Sequence, residues 1–171
     1  MNSFFSIKPV LKFGILSGLL LVLNEVIINT LTQTNPYIGE RNSVFSLIGL
    51  IIPVVMVVIA LNYLKKHATF TSFGQIIKPG LIIGLLTALV YIAYSLLFIY
   101  SIEPNTLAEF EQMNRERSIA SGQFKNEEDL NNAIQLSRNA FLPGTILFSI
   151  AINLFIGFLS AVITAIFVRN K

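Results

Sequence analysis

Glu25 stands inside an apolar run from Val10 to Leu31, and no other acidic residue occurs in any stretch long enough to cross a bilayer. A carboxyl in hydrocarbon is expensive unless it faces a bundle interior, water or a partner, so its place there bears on packing or on function. Gly14, Gly18, Glu25 and Asn29 share one helical face at spacings near four and seven. Residues small enough for close helix approach therefore lie on the same side as the carboxyl, and that side must look inward. Glu25 precedes Leu31 by six residues, a depth of about 9 Å at the helical rise. Equal depth on the other apolar runs reaches positions 49–53, then Tyr91, Tyr94 and Ser95, then Asn153. Glu25, Tyr91, Tyr94, Ser95 and Asn153 are thus the candidate binding layer, a carboxyl ringed by hydrogen-bond donors. Two uses fit it. Bonded to Asn153, Glu25 would pin the helix register; protonatable and reached by water, it would be the proton or cation site of a carrier.

Other chemistry lacks its residues. The chain has no cysteine, which excludes disulfides, thiolate catalysis and cysteine lipidation, and its one histidine, His67, sits beside Lys65 and Lys66 in a short polar loop. No histidine-based metal site or histidine-assisted nucleophile can be assembled from that set. Glu127, Glu128 and Asp129 are adjacent in the first turn of an expected helix, where they diverge and complement the helix dipole instead of converging on an ion. Neither a phosphate-binding glycine loop nor a serine elbow occurs. These absences point away from an enzyme, from a resident metal and from any cofactor.

The elements that must carry the layer are legible from composition. Of the 171 residues 54% are hydrophobic and 12% charged, about half the charged fraction of a soluble domain. The apolar residues fall into runs of membrane-crossing length instead of the spaced pattern of a water-soluble core. Spans are expected at about 10–31, 44–64, 76–102 and 145–168, all within a single membrane domain over 1–171. The first is too long for a secretory h-region and lacks a small-residue cleavage pattern, so it reads as a retained span. Pro53 withdraws a donor from the middle of the second, Ser72 to Gln75 has capping-box spacing ahead of the third, and Pro143-Gly144 marks the start of the fourth.

Between the third and fourth spans, 104–140 is the one sizeable polar region. Leu107, Phe110 and Met113 recur at helical spacing, Glu111 precedes Arg115 by four residues, and Asn126 caps a second helix whose stripe is Leu130, Ile134 and Phe141. A helical hairpin results. It lies on the membrane surface or on the spans, or else serves as a docking surface or lid.

Lysine and arginine placement sets the threading. Lys8, Lys12, Lys65, Lys66, Lys78, Arg169 and Lys171 fall at the two termini and the second loop, where no acidic residue occurs, whereas the basic residues of the first loop and the insert are mixed with carboxylates. The positive-inside rule then places both termini in the cytoplasm and the insert outside. Basic residues at span ends explain the net charge of +3 without nucleic acid. A shift of seventy residues also lays Ile7-Lys8-Pro9 on Ile77-Lys78-Pro79 and Gly14 on Gly84, the pattern of two hairpins related by a parallel repeat.

Ser72-Phe73-Gly74-Gln75 with Lys78 and Gly80 leading into a span, an acidic helical insert after Glu103-Pro104, and Pro143-Gly144 opening a last span before a basic end make up a recognisable order. In it the chain resembles a family of small bacterial membrane proteins, typical of the Bacteroidetes, catalogued as domain of unknown function family 4199. The resemblance implies a four-helix protein of the bacterial inner membrane and supplies no activity, cofactor or site residue; Glu25 is not part of the pattern. The expectation is therefore an all-α, integral membrane four-helix bundle with an extracytoplasmic helical hairpin between helices 3 and 4. Its partners would be the lipid bilayer and either a second copy or another membrane protein. A non-enzymatic structural or accessory component leads. The alternatives are a small proton- or cation-coupled carrier using Glu25, and an envelope sensor or partner-binding module acting through 104–140.

Overall fold

Why four helices gather around a carboxyl is visible in the computed structural model, which describes residues 6–33, 35–38, 43–66, 72–124 and 126–168. His67, Arg169 and Lys171, used above, lie outside these residues. The helices are α1 (Ile7–Thr32), α2 (Ser43–Lys65), α3 (Phe73–Leu97), α4 (Thr106–Ser121) and α5 (Glu127–Val168), with a π-helical turn over Phe98–Ile102 ending α3. No strand occurs among the described residues. Four of the helices, α1, α2, α3 with its π turn, and α5, are long and apolar enough to cross a membrane. Their outward faces carry Leu19, Leu23, Val44, Leu147, Ile166 and Phe167 largely exposed, an apolar surface far beyond what a soluble monomer presents to water.

α3 is the hub, packing most extensively on α5 and on α1. Glycines make both contacts close. A methyl group added at Gly14 would lie 2.7 Å from the Leu86 Cβ, and one at Gly18 would lie 2.5 Å from the Val90 Cβ. On the opposite side, one at Gly80 would meet the Gly157 carbonyl oxygen at 2.7 Å, and Gly84 is as tightly apposed to the Asn153 carbonyl. In lipid, burial gains little transfer energy, so this backbone proximity and its dispersion attraction supply the association. On α5, Asn153, Gly157, Ser160 and Thr164 fall on one face at helical spacing and are buried throughout. Gly14 and Gly84, equivalent under the seventy-residue shift, face different helices, α3 and α5. The sequence echo therefore does not extend to equivalent packing at these positions.

The apolar core sits at one end. Val10 of α1, Val57 and Leu61 of α2, Ile76 and Ile83 of α3 and Ala161 of α5 are fully buried in one cluster, beside the end that carries Lys8, Lys12, Lys65, Lys66 and Lys78. There Lys65 Nζ donates to the Phe167 carbonyl at 3.1 Å, satisfying one of the last acceptors of α5. At the opposite end, where the insert lies, packing is looser. α2 buries Pro53, Met56, Val57, Ala60, Leu61 and Leu64 and no residue before Pro53, so its first half stands off the bundle.

The insert forms a hairpin, but not as two helices separate from the fourth span. α5 is one helix of 42 residues with Pro143 inside it, about 63 Å long at the helical rise. Pro143 and Gly144 are exposed there, and the helix runs on through the proline where a new span was expected to start. α4 packs antiparallel on the first half of α5 through the Phe110 and Phe141 rings, 4.4 Å apart. Glu111 accepts from Arg138 across the hairpin at 3.0 Å, and Arg115 donates to Asn131. The expected Glu111 to Arg115 pair along α4 is replaced by these cross-helix contacts. Asn126 caps α5 as expected, its Oδ1 accepting from the Asp129 N–H at 2.7 Å.

Candidate functional site

Because α2 stands away before Pro53, the insert end of the bundle carries an open cavity of about 660 Å³. Phe45, Ser46, Gly49, Leu50 and Pro53 of α2 line one side, and α5 from Gly144 to Ile156 lines another. Leu21, Asn24 and Glu25 of α1, Pro36 and Tyr37 of the following turn, and Tyr91 of α3 complete it. Such a volume lies within the usual range for a small-molecule site, and among the described residues no lysine, arginine or histidine contributes to the lining.

Glu25 is 5% exposed. Position on the glycine face of α1 turns it toward α3, where the Tyr91 hydroxyl donates to Oε1 at 3.1 Å. Tyr91 is therefore a donor to Glu25, and Asn153 is not. The Asn153 side chain, also 5% exposed, donates from Nδ2 to the Ser149 carbonyl of its own helix at 2.9 Å. Its Oδ1 is buried without a hydrogen-bond partner, a property it shares among the described residues with Ser17 Oγ. Of the two, Asn153 lines the cavity and Ser17 does not.

The proposed layer thus divides. Glu25, Tyr91 and Asn153 meet at one cavity. Ser95 sits behind it, accepting from the Tyr37 hydroxyl at 2.7 Å and donating to the Tyr91 carbonyl at 2.9 Å. Tyr94, though buried, stacks toward Phe98 with ring centroids 5.9 Å apart and does not contribute to the lining.

Tyr37 is the residue that sequence reasoning missed. The turn after α1 brings it in: the Asn35 side chain accepts from the Tyr37 N–H at 3.0 Å and donates to Thr106 Oγ1 at 2.9 Å, tying the loop to the start of α4. The Tyr37 ring then rests 5.5 Å from that of Phe98. Burial first, and then the neighbouring Tyr91 hydroxyl, hold the Tyr37 phenol well above its ordinary range, so it stays a neutral donor. Asn35-Pro36-Tyr37 reads locally as a turn, and an aromatic after a proline was the one available hint. Asn24, Ser46 and Ser149 also line the cavity and were not singled out. Asn24 Nδ2 reaches the Phe45 carbonyl at 3.5 Å, a long contact that bridges α1 to the free half of α2.

Chemically, the site offers one carboxyl, two side-chain amides, two phenols and the hydroxyls of Ser46, Thr145 and Ser149 along an open and otherwise apolar cleft. Among the described residues no group of three histidine, cysteine or acidic side chains could hold a metal. The family model described as protein of unknown function (DUF4199) matches residues 12–170. No curated protein and no solved structure matches the chain.

Proposed function

We propose that this chain, which belongs to the DUF4199 family of proteins of unknown function, is a small cation- or proton-coupled carrier of the bacterial inner membrane. Positive-inside threading places both termini in the cytoplasm and the cavity in the outer half of the bilayer. One observation carries the reading: a cavity of about 660 Å³ reaches a buried carboxyl, while the lysine end of the same bundle is packed shut. A structural pin needs no such space. Glu25 would close on Asn153, whereas Asn153 bonds within α5 and Tyr91 holds Glu25 at the cavity wall. Pro53 stands where the packed and free halves of α2 meet, a natural pivot for closing one end and opening the other. No covalent chemistry is assigned to the site.

The accessory or sensor reading draws on another observation. α5 continues unbroken from the hairpin into the cavity wall, so a partner seated on the hairpin would act on Asn153 through a single rigid rod.

The chain holds no cysteine, so introduced thiols report without background. Ser46→Cys and Ser149→Cys are expected to react with a membrane-impermeant maleimide outside intact cells and, in inverted vesicles, from the cytoplasmic face as well. Reaction from one face only, or from neither, overturns the carrier.

A further inference from the structure

We infer that the cleft takes one acyl chain of a membrane phospholipid, entering sideways from the bilayer between α2 and α5. This rests on reading the cleft as a ligand site and names the ligand's class. Where the opening lies follows from which neighbour the first half of α2 keeps. It stays with α1: Asn24 Nδ2 reaches the Phe45 carbonyl at 3.5 Å, and a methyl group added at Gly49 would lie 3.6 Å from the same nitrogen. α5 keeps to α3 instead, with the backbones of Gly84 and Asn153 pressed together, and α3 keeps to α1 through Gly14 and Gly18. The side of the bundle left to open ahead of Pro53 is therefore the one between α2 and α5, and it faces outward. Phe148 and Leu50 form its lips: both line the cleft, and they are 70% and 47% exposed. Cleft wall and lipid-facing surface are continuous there, so a chain can pass from one to the other without crossing a polar rim.

Polarity falls with depth. Tyr37, Ser46 and Thr145 stand at the outer end of the cleft, and Leu21, Pro53 and Ile156 at the inner end. From Gly144 to Ile156 the wall on α5 runs about 18 Å at the helical rise, a length that suits an extended chain better than a compact solute. The polar side chains along it are turned to the protein. Thr145 donates to the Phe141 carbonyl, Asn153 to that of Ser149, and Asn24 toward that of Phe45. Tyr37 donates to Ser95 and Tyr91 to Glu25; Glu25 and Ser149 are each 5% exposed, and Ser46 is engaged as well. Among the described residues the lining thus offers an occupant mainly carbon. Water is the competitor, and volume decides against it: about 660 Å³ would take on the order of twenty molecules at about 30 Å³ each, most of them without polar partners. Left vacant, the wall would forfeit its dispersion contacts. An acyl chain restores them and needs no hydrogen bond.

The chain has no tryptophan, so a single introduced one reports contact with lipid without background. In nanodiscs, phosphatidylcholine brominated along its acyl chains is the quencher. Leu21 lines the cleft on α1 and is 8% exposed, Leu23 faces outward at 53%, and Leu61 lies in the closed core at 0%. Bromolipid is expected to quench Leu21→Trp at least half as strongly as Leu23→Trp and at least fivefold more than Leu61→Trp. Quenching of Leu21→Trp no greater than that of Leu61→Trp overturns the inference. So does quenching by aqueous iodide but not by bromolipid, the mark of a water-filled vestibule. The wild-type chain gives a second test that stands whether or not the variants fold. Phosphatidylcholine with a photoreactive diazirine at the acyl terminus should attach at Leu21, Pro53 or Ile156 at least as often as at the outward Leu19 and Leu23, and attachment to the outer faces alone overturns the inference. Lipid contact that fails where cysteine labelling succeeds removes this occupant and leaves the carrier. Labelling from one face only, with lipid contact intact, removes the carrier and leaves the lipid site.

Discussion

At the scale of single residues, the site is organised by who donates to whom. Tyr91 donates to Glu25, so the carboxyl is held by a phenol on α3, while Asn153 bonds within α5 to the Ser149 carbonyl. Tyr37 supports this from behind by donating to Ser95. Tyr37→Phe deletes that bond and is expected to lower stability by about 1 kcal/mol, read as a lower melting temperature in detergent. The same phenol predicts an alkaline limit. Its pKa is raised by burial in the folded state, so its stabilising contribution is complete below the ordinary tyrosine value of about 10 and is lost as pH climbs beyond it, where the unfolded chain ionises first. Melting temperature measured from pH 8 to 11 should fall above that value, and less steeply in Tyr37→Phe.

Among elements, glycine decides which helices approach. Gly80 and Gly84 meet Gly157 and the Asn153 carbonyl so closely that no side chain fits between α3 and α5. Gly157→Ala is expected to cost about 1–3 kcal/mol through overpacking and to disturb the cavity wall with it. Gly144 has nothing within 4 Å of where a methyl group would sit, so Gly144→Ala should leave the melting temperature unchanged or raise it slightly. Thermal denaturation of the two variants side by side is the check; equal losses would deny the close packing its role. α2 lacks such a seam in its first half, which is why that half stands away and the cavity exists.

For the molecule as a whole, tight packing at the lysine end and a mostly apolar cavity at the insert end make a bundle that is closed at one end and open at the other. Orientation then matters to the proposed carrier, because it says which compartment the cavity faces. A reporter fused at residue 125 is expected to read as extracytoplasmic; a cytoplasmic signal there would invert the threading and turn the cavity inward.

Length and greasiness of a run, and the charges at its ends, are local properties, which is why four membrane-type helices, their order and the family were legible without coordinates. So was Glu25 as the odd residue, since a carboxyl in an apolar run needs no neighbour to be conspicuous. Contacts between runs were not. Whether Asn153 or Tyr91 would reach Glu25 depended on which faces the glycines of α3 draw together, and Tyr94 lost its place because its face turns toward Phe98. The passage of α5 through Pro143 was equally closed to sequence, because a proline reads locally as a boundary while helix on both sides can carry the chain across it. Only the tertiary arrangement, by holding half of α2 away from the other helices, made a cavity out of a layer.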